Sequence, residues 1–507
     1  MLARVYSGAV VGLTGIAIEV EVDVAGRGFP TFTIVGLPNK AIDEAKERVR
    51  TAVVHAGFEM PDSRITVNMA PADIPKTGSG FDLPIAVGIL AASGIVAQEG
   101  LRDALFIGEV SLEGRIRRVN GSVSLAMLAR EKHMKSLYIP TDNAYEAAFV
   151  DGVTVYPVAT LSELVLHLNN HALIPPQPIT DISQMRHNED HMKGDFADVK
   201  GQAQAKRALE IAAAGFHNIH LRGSPGAGKT LLSRVFVTIL PDLTKEEVLE
   251  VSRVYSAAGM LGSAHVMTRA PFRSPHHTTS KMGLIGGGTN PTPGEITLAH
   301  RGVLFLDELT EFPRSVLEAL RQPLEDGVVT VARAAGSVAF PARFLLLGAS
   351  NPCPCGYLGH PQRRCTCHMS HILKYKKKLS GPLTDRIDLH IDVSPVENDV
   401  LTSRGESETS KTIAERVQSA RTRQRERLSM RGKLTNGEMS SADIRAVCSI
   451  TSGAEMLLKK AVSALSLSAR SYFKTIKVSQ TISDLENADT VDTAHVAEAL
   501  QYRSKES

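Results

Sequence analysis

The chain has 507 residues, of which 43% are hydrophobic and 22% are charged, and its formal net charge is +3 at pH 7. This length exceeds what one hydrophobic core supports, so two to four domains are expected. The small net charge excludes a polycationic chain, and any nucleic-acid contact must come from local basic patches. No apolar run reaches the roughly 18–20 residues of a membrane span, and the five cysteines do not resemble a secreted disulfide framework. We therefore expect a cytoplasmic, multidomain protein without membrane contact.

Residues 1–170 alternate strand-like runs such as IAIEVEVDV and RITVNMAP with helical runs such as FDLPIAVGILAASG. This alternation predicts an α/β domain. Thr160 precedes the last predicted helix of this domain, LSELVLHLNN, and it is spaced from Glu163 as in a capping box. The following residues 171–193 are rich in proline and polar side chains, which predicts a linker.

Residues 194–396 alternate short apolar runs with helices, a pattern typical of a parallel sheet covered on both faces. Residues 397–411 form a second predicted linker, and residues 412–507 are predicted to be helical from a capping box of Thr412 and Glu415 onward. Four arginines alternate along the first of these helices without sharing one face, and they are predicted to be solvated: Arg421, Arg423, Arg425 and Arg427.

The sharpest motif is GSPGAGKT, residues 223–230, which follows the strand-like run NIHLR and opens a helical run. Glycines let such a loop turn its backbone N–H groups towards phosphate oxygens, although a flexible glycine turn is the alternative. Lys229 can then reach the β- and γ-phosphates of ATP, and the Thr230 hydroxyl can hold Mg²⁺. The predicted nucleotide-contacting residues are Gly223, Ser224, Pro225, Gly226, Ala227, Gly228, Lys229, Thr230 and Leu231.

Two further apolar runs end in polar residues: GVLFLDE ends in Asp307 and Glu308, and RFLLLGASN ends in Asn351. Ligands of open α/β sheets bind at the carboxyl ends of the strands. Asp307 is therefore predicted to join the Mg²⁺ shell, Glu308 to polarise the attacking water, and Asn351 to contact the γ-phosphate or that water. The alternative is a set of solvated residues at strand ends.

The segment MTRAPFRSPHHTTSKMGLIGGGTNP combines basic side chains with a glycine-rich tip. Such an insertion suits sequence-independent contact with a DNA backbone, while a plain surface loop or a subunit-contact loop are the alternatives. The candidate DNA-contacting residues are Arg273, His276, His277 and Lys281.

Four of the five cysteines lie between residues 353 and 367 in the pattern CPC–x₉–CTC. Two close pairs of thiolates can complete a tetrahedral Zn²⁺ shell, with His360 and His368 as substitute ligands. Free thiols, two disulfides or an iron–sulfur cluster are the alternatives. The predicted ligands of this structural zinc site are Cys353, Cys355, Cys365 and Cys367.

The motifs GSPGAGKT, VLFLDE, LLLGASN and GPLTDRIDL together resemble AAA+ ATPases of the magnesium-chelatase branch. PFRSPHHTTS, PGEITLAHRGVLFLDEL, the cysteine pattern and FTIVGLPNKAIDEAKERVR resemble, more narrowly, the ComM/YifB family of competence-associated ATPases, over nearly the whole chain. The resemblance implies a central AAA+ domain with a C-terminal helical lid. It also implies a ring, commonly hexameric, that uses ATP to move single-stranded and branched DNA and to drive branch migration during recombination of incoming DNA.

The same resemblance assigns Arg386 of TDRID as an arginine finger that reaches into the site of a neighbouring subunit. Without the resemblance, a surface ion pair with Asp385 or Asp388 is the simpler interpretation. Arg470 of LSARSYF takes the sensor position that couples lid closure to the nucleotide. The basic insertion corresponds to one that faces the central channel of such rings, which favours DNA contact.

Residues 63–140 resemble the catalytic domain of Lon proteases, whose chemistry needs a Ser–Lys dyad. Gly80 stands where the serine is expected and Val123 where the lysine is expected, while Ser79 lacks a suitably placed lysine. The front domain is therefore predicted to be Lon-like and non-proteolytic.

Two other functions fit parts of the sequence. A motor subunit of a magnesium chelatase, which inserts metal into a porphyrin, generally lacks the front domain and the cysteine pattern. A non-catalytic scaffold ring would not need an intact set of Lys229, Asp307, Glu308 and Asn351. An ATP-hydrolysing DNA motor is the function that the sequence favours.

Overall fold

The structure is a computed structural model that describes residues 1–26, 29–35, 40–72, 74, 79–181, 194–262, 266–288, 291–333, 336–379, 381–396 and 407–503. Most of each predicted linker, residues 182–193 and 397–406, lies outside the described residues. Residues 171–181, also predicted as linker, instead pack on the first α/β unit through buried Ile174 and Thr180.

The strands are β1 (Leu2–Val11), β2 (Thr14–Val24), β3 (Thr31–Val35), β4 (Arg64–Ala70), β5 (Ala104–Phe106), β6 (Glu109–Val110), β7 (Ile116–Arg117), β8 (Ser136–Pro140), β9 (Thr154–Val158), β10 (Ile219–Gly223), β11 (Phe272–Arg273), β12 (Gly286–Gly287), β13 (Thr292–Pro293), β14 (Val303–Leu306), β15 (Val328–Arg333), β16 (Gly336–Pro341), β17 (Leu345–Ser350) and β18 (Leu389–Val393).

The α-helices are α1 (Lys40–His55), α2 (Asp82–Ala92), α3 (Ser122–Glu131), α4 (Thr141–Ala147), α5 (Leu161–Leu168), α6 (Ala203–Gly215), α7 (Lys229–Val235), α8 (Lys245–Ala257), α9 (Lys281–Ile285), α10 (Glu295–Leu298), α11 (Arg314–Ala319), α12 (Arg321–Asp326), α13 (Met369–Lys376), α14 (Gly381–Thr384), α15 (Ser410–Leu428), α16 (Ser441–Val447), α17 (Ser452–Leu465), α18 (Ala469–Leu485) and α19 (Thr493–Gln501). Among the described residues, no helix is both long enough and apolar enough to cross a membrane.

The first of two compact units comprises Met1–Asn188, Lys245–Thr268 and Gly288–Pro293. Its sheet has seven strands in the order β3-β4-β2-β1-β5-β8-β9, with antiparallel pairs at β1/β2 and β2/β4 and parallel pairs elsewhere. Side chains alternate between the two faces of a strand, and every second residue of β1 from Ala3 to Ala9 is buried. Helix α2 is buried along its whole length against this sheet.

Helix α8 belongs to this first unit, although the sequence places it inside residues 194–396. Its Ser256 carbonyl accepts a hydrogen bond from the Gly121 N–H at 2.9 Å, and the hydroxyls of Ser256 and Ser122 lie 3.2 Å apart. The Arg253 Nε donates to the Leu13 carbonyl at 2.8 Å. The central segment of the chain therefore contributes a helix to the front unit.

The second unit comprises Glu189–Thr244, Arg269–Gly287 and Gly294–Ser507. Its five-stranded sheet has the order β11-β14-β17-β10-β18, and every neighbouring pair is parallel. Val303 and Phe305 of β14 join one hydrophobic cluster, whereas Leu304 and Leu306 join another. The two faces of the sheet are therefore both covered, as the apolar runs predicted, and the parallel sheet is confirmed.

Helices α15–α19 form the C-terminal part of this unit, and the predicted C-terminal helices are confirmed. The first begins at Ser410, with Thr409 rather than Thr412 as its N-cap. The prediction of solvated arginines in α15 is wrong. Arg421 is 4% exposed and donates to the Ala213 carbonyl at 2.6 Å, and Arg427 pairs with the buried Asp484. These guanidinium groups face other elements of the same unit because each one finds an acceptor there.

Candidate active site

The loop between β10 and α7 is shaped to enclose an anion. Gly226 and Gly228 have φ values of +79° and +89°, and a Cβ at either position would meet no heavy atom within 4 Å among the described residues. The Ser224 hydroxyl is buried and has no hydrogen-bond partner there. An open concave backbone with an unsatisfied polar atom fits the phosphates of a nucleotide. Leu231 lies exposed at the start of α7, whereas Ala227 is buried.

Lys229 is the charged group at the centre of this loop. Its Nζ donates to the carbonyls of Gly223 at 2.6 Å and Ser224 at 3.0 Å, and to Asn351 Oδ1 at 3.2 Å. Burial lowers the pKa of Lys229 below its ordinary value, and the nearby Asp307 and Glu308 oppose that shift. The structure thus brings the ends of β10 and β17 together around one ammonium group.

Thr230 and Asp307 form the second part of the site. The Thr230 hydroxyl donates to Asp307 Oδ2 at 3.1 Å, and Asp307 Oδ1 accepts the Glu308 N–H at 2.9 Å. A hydroxyl beside a carboxylate is the donor set that Mg²⁺ takes next to phosphates. The residues present therefore fit both ATP and Mg²⁺.

Glu308 follows the buried strand β14 in the left-handed region, at φ = +50°. Non-glycine residues rarely adopt this conformation, and it concentrates at functional sites. His277 Nδ1 lies 3.6 Å from Glu308 Oε2, and the His277 ring stands edge-on to Phe312. One histidine of the basic insertion is thus in contact with the carboxylate predicted to polarise water.

The other candidate DNA-contacting residues of the basic insertion have different surroundings. Arg273 lies in β11 and donates to both carboxylate oxygens of Glu295 at 2.7 Å, so it supports the fold locally. The His276 ring packs against that of His277, with 4.1 Å between ring centroids. Lys281 is exposed at the start of α9.

Arg386 and Arg470 form ion pairs with the same carboxylate, and no sequence motif had pointed to this acid. Both guanidinium groups pair with Glu325, with Arg470 Nη2 at 2.6 Å from Glu325 Oε1. They hold the pKa of Glu325 below its ordinary value. The Arg386 Nε is buried without a hydrogen-bond partner among the described residues. The structure therefore places Arg470 beside Arg386, not beside Lys229.

These two arginines lie at the edge of the sheet opposite the phosphate loop. The Asn218 side chain, just before β10, donates to the Arg386 carbonyl at 3.0 Å, whereas the loop follows Gly223 at the far end of β10. At about 3.3 Å per residue, one strand length of roughly 15 Å separates the two positions. Arg386 therefore lies about one strand length from the phosphate loop of its own chain.

The four clustered cysteines bring their sulfur atoms within 4.8 Å of one another. Three of the separations, Cys353–Cys355, Cys353–Cys365 and Cys355–Cys365, are 3.4, 3.7 and 3.6 Å. A tetrahedral Zn²⁺ ion with Zn–S bonds of about 2.3 Å requires sulfur–sulfur edges of about 3.8 Å. All four are free thiols, and among the described residues neither His360 nor His368 joins the group.

Electrostatics also favour a cation at this cluster. The backbone N–H groups of Tyr357 and Thr366 lower the pKa of the Cys355 thiol to about 6. At Cys365 the Cys367 N–H lowers the pKa, but burial and the sulfur atoms of Cys355 and Cys353 outweigh it and raise the pKa to about 12. Four sulfur atoms this close cannot all ionise unless a positive ion compensates them.

Known proteins match this chain over nearly its whole length. Residues 195–401 match the family described as magnesium chelatase, subunit ChlI, while residues 20–143 and 407–503 match subunit ChlI of Mg-chelatase and the ChlI C-terminal family. The chain is 39% identical over 505 residues to YifB of Escherichia coli, covering 99% of this chain and 97% of that protein. It is 42% identical over 508 residues to the competence protein ComM of Haemophilus influenzae, with the same coverage of 99% and 97%. This chain belongs to the ComM/YifB family of magnesium-chelatase-like AAA+ ATPases.

Members of the ComM/YifB family match this chain from end to end, whereas a magnesium chelatase matches only a part. The magnesium-chelatase 67 kDa subunit of Heliobacterium mobile is 28% identical over an alignment of 237 residues, and the match covers 39% of this chain and 35% of that protein. Family membership supports an ATPase motor that uses ATP and Mg²⁺.

Proposed function

We propose that this protein is an ATP-hydrolysing ring motor that acts on DNA in the cytoplasm and promotes branch migration during recombination of incoming DNA. The observation that carries the motor is the convergence of Lys229, Asn351, Thr230 and Asp307 at one edge of the parallel sheet. The DNA part is supported by full-length similarity to a protein named for competence.

In this proposal the loop N–H groups and Lys229 bind the phosphates, and Thr230 with Asp307 holds Mg²⁺. The bound ion would neutralise negative charge on the phosphates. Glu308 orients the attacking water and accepts a proton from it. Glu308 can take this role because it lies just after β14, at the same edge of the sheet as the phosphate loop. Asn351, already 3.2 Å from Lys229 Nζ, contacts the γ-phosphate or the water.

We propose that the ring, taken as hexameric, forms because one chain lacks a complete site. Arg386 lies about one strand length from the loop of its own chain, and its Nε has no partner among the described residues. An arginine supplied by a neighbouring subunit would stabilise charge on the transferred phosphoryl group. Arg470 shares Glu325 with Arg386, so we assign it to the same face towards the neighbour.

The ATPase rate should rise severalfold when single-stranded DNA or a four-way junction is added. Lys281→Glu should reduce this stimulation, because an exposed cation in the insertion suits backbone contact, and the DNA affinity of this variant should fall less steeply with salt. Lys411→Glu, at an exposed position in α15, is the matched control and should behave as wild type.

Indifference of the ATPase rate to DNA, combined with a response to a porphyrin-carrying partner, would favour the chelatase alternative. A ring with no ATPase activity would favour a scaffold.

We also propose that Cys353, Cys355, Cys365 and Cys367 hold a structural Zn²⁺ ion. The purified chain should contain about one zinc per chain, measured by plasma mass spectrometry, with X-ray absorption showing four sulfur ligands. Cys353→Ser should lose the metal, whereas Cys448→Ser, which alters a thiol outside the cluster, should keep it. Iron in place of zinc, or no metal, would contradict the proposal.

For the first unit we propose a Lon-like domain without protease activity. The Ser79 hydroxyl donates to the Glu109 carboxylate, and Val123, at the position expected for lysine, is buried. Casein should stay intact in the presence of ATP and DNA. Cleavage that Ser79→Ala abolishes would overturn the assignment.

A further inference from the structure

The cysteine cluster and the phosphate loop touch at one glycine. Gly356 lies between Cys355 and Tyr357 at φ = +83°, and a Cβ built there would lie 2.5 Å from Pro225 Cδ and 2.6 Å from Pro225 Cγ. Cβ atoms essentially never approach other heavy atoms within 3.0 Å, so only glycine permits this packing. The turn that carries the cysteines therefore packs directly against the proline of the phosphate loop.

Hydrogen bonds to the cysteines hold this turn in its conformation. The Cys353 carbonyl accepts the Gly356 N–H at 2.9 Å, and Cys353 Sγ accepts the Leu358 N–H at 3.3 Å. The Cys355 N–H donates to Cys367 Sγ at 3.4 Å, which ties the two CxC pairs together. Cys353 is fully buried, two residues after the Asn351 that contacts Lys229.

The remaining side of the phosphate loop offers less support. At Gly226 and Gly228 no described heavy atom lies within 4 Å of a built Cβ, so these two positions face open space. The conformation of the loop therefore depends on the groups that contact its other residues. Gln202 Nε2 donates to the Ala227 carbonyl at 3.3 Å, and Pro225 and Lys229 make further contacts. The segment that begins at Asn351 supplies one contact to each of these last two: Gly356 packs against Pro225, and Asn351 Oδ1 accepts from Lys229 Nζ.

We propose that metal binding at the four cysteines and nucleotide binding at the Lys229 loop are thermodynamically linked through the contact between Gly356 and Pro225. This inference rests on the proposed function, since it requires that the loop binds a nucleotide. The bound metal keeps the turn around Gly356 rigid, and this turn keeps Pro225 in place. The phosphate loop therefore retains the conformation that binds an anion. Linkage is reciprocal, so a bound nucleotide must strengthen metal binding by the same factor, typically about 5–150-fold.

The first test compares Gly356→Ala with Gly359→Ala in the full chain. Both glycines lie in the cysteine loop at positive φ, +83° and +79°, so backbone strain is matched, but a Cβ at Gly359 meets no described heavy atom within 4 Å. Gly356→Ala should weaken the affinity for a slowly hydrolysed ATP analogue about tenfold, whereas Gly359→Ala should change it less than about twofold. Equal affinities in the two variants would overturn the inference.

A double-mutant cycle removes the other partner of the contact. In a Pro225→Ala background, Gly356→Ala should change nucleotide affinity by less than about twofold, because the ring that it meets is gone. An undiminished effect in this background would place the cause elsewhere and contradict the inference. Zinc content is measured in the same samples, and joint loss of metal and nucleotide affinity in Gly356→Ala would support the linkage.

A test without loop variants uses the wild-type, zinc-loaded chain. At equilibrium, the ATP analogue should raise the affinity for zinc, measured by competition with a chromogenic chelator, by about fivefold or more, and it should have no effect on the Lys229→Ala protein. If wild type fails to bind the analogue, the proposed function fails. If it binds the analogue but its affinity for zinc is unchanged, only the linkage fails.

Discussion

Arg386→Ala should reduce ATP turnover by about 10³-fold or more and leave the affinity for ATP nearly unchanged. The reason lies in the parallel sheet, which carries the phosphate loop at one edge and Arg386 at the other. The guanidinium cannot help the chain bind its own nucleotide, so its loss should appear in kcat alone. Steady-state ATPase rates and nucleotide titrations measure the two quantities separately.

Arg314→Ala provides the matched control, because the Arg314 side chain is 83% exposed and its ion pair among the described residues, with Glu318, is 4.0 Å long. It should retain normal turnover. Full ATPase activity in Arg386→Ala would show that Arg386 is not the finger. A fall in ATP affinity equal to the fall in turnover would assign it a role within its own chain.

Glu308→Gln should lower turnover by about 10²–10⁴-fold while ATP still binds in the presence of Mg²⁺. The amide keeps the shape of the side chain but accepts no proton from water. Glu311→Gln alters an exposed acid one turn later, paired with Lys378, and should stay close to wild type. Equal rates in the two variants would remove Glu308 from the reaction.

Mixing the Arg386→Ala and Glu308→Gln proteins tests whether Arg386 acts on the site of a neighbouring subunit. In a mixed ring, an Arg386→Ala subunit carries an intact Glu308, and its Glu308→Gln neighbour supplies an intact Arg386. Such mixtures should therefore regain measurable ATPase activity, in proportion to the number of hybrid interfaces. Failure to regain it, with mixed assembly shown independently, would contradict action between subunits.

The sequence could predict the sheet and its polar ends because these depend on local patterns. Runs such as GVLFLDE are apolar until they end in acids, and an apolar strand that ends this way has few alternatives in an α/β unit. The phosphate loop combines a strand, glycines and a helix in order. The structure then brings Thr230 to Asp307 and Lys229 to Asn351, contacts that the shared sheet edge implies.

Contacts between distant residues could not be predicted in the same way. Periodicity indicates which face of a helix is buried, but not what covers it. Glu325 between Arg386 and Arg470 carries no motif of its own, and the four arginines of α15 alternate as solvated ones would. Thr409 and Thr412 both resemble caps, and Thr409 caps the helix by accepting the Thr412 N–H, while Asp195 accepts the neighbouring Ser410 N–H.

The contribution of α8 to the first unit has a consequence for synthesis on the ribosome. The N-terminal 188 residues cannot receive the segment Lys245–Thr268 until residue 268 has been translated, about 80 residues later. At roughly 5–20 residues per second this leaves an interval of about 4–16 s. During that time the surface of α3 that receives Ser256 lacks its partner. A chain that ends between the two positions would keep this surface uncovered.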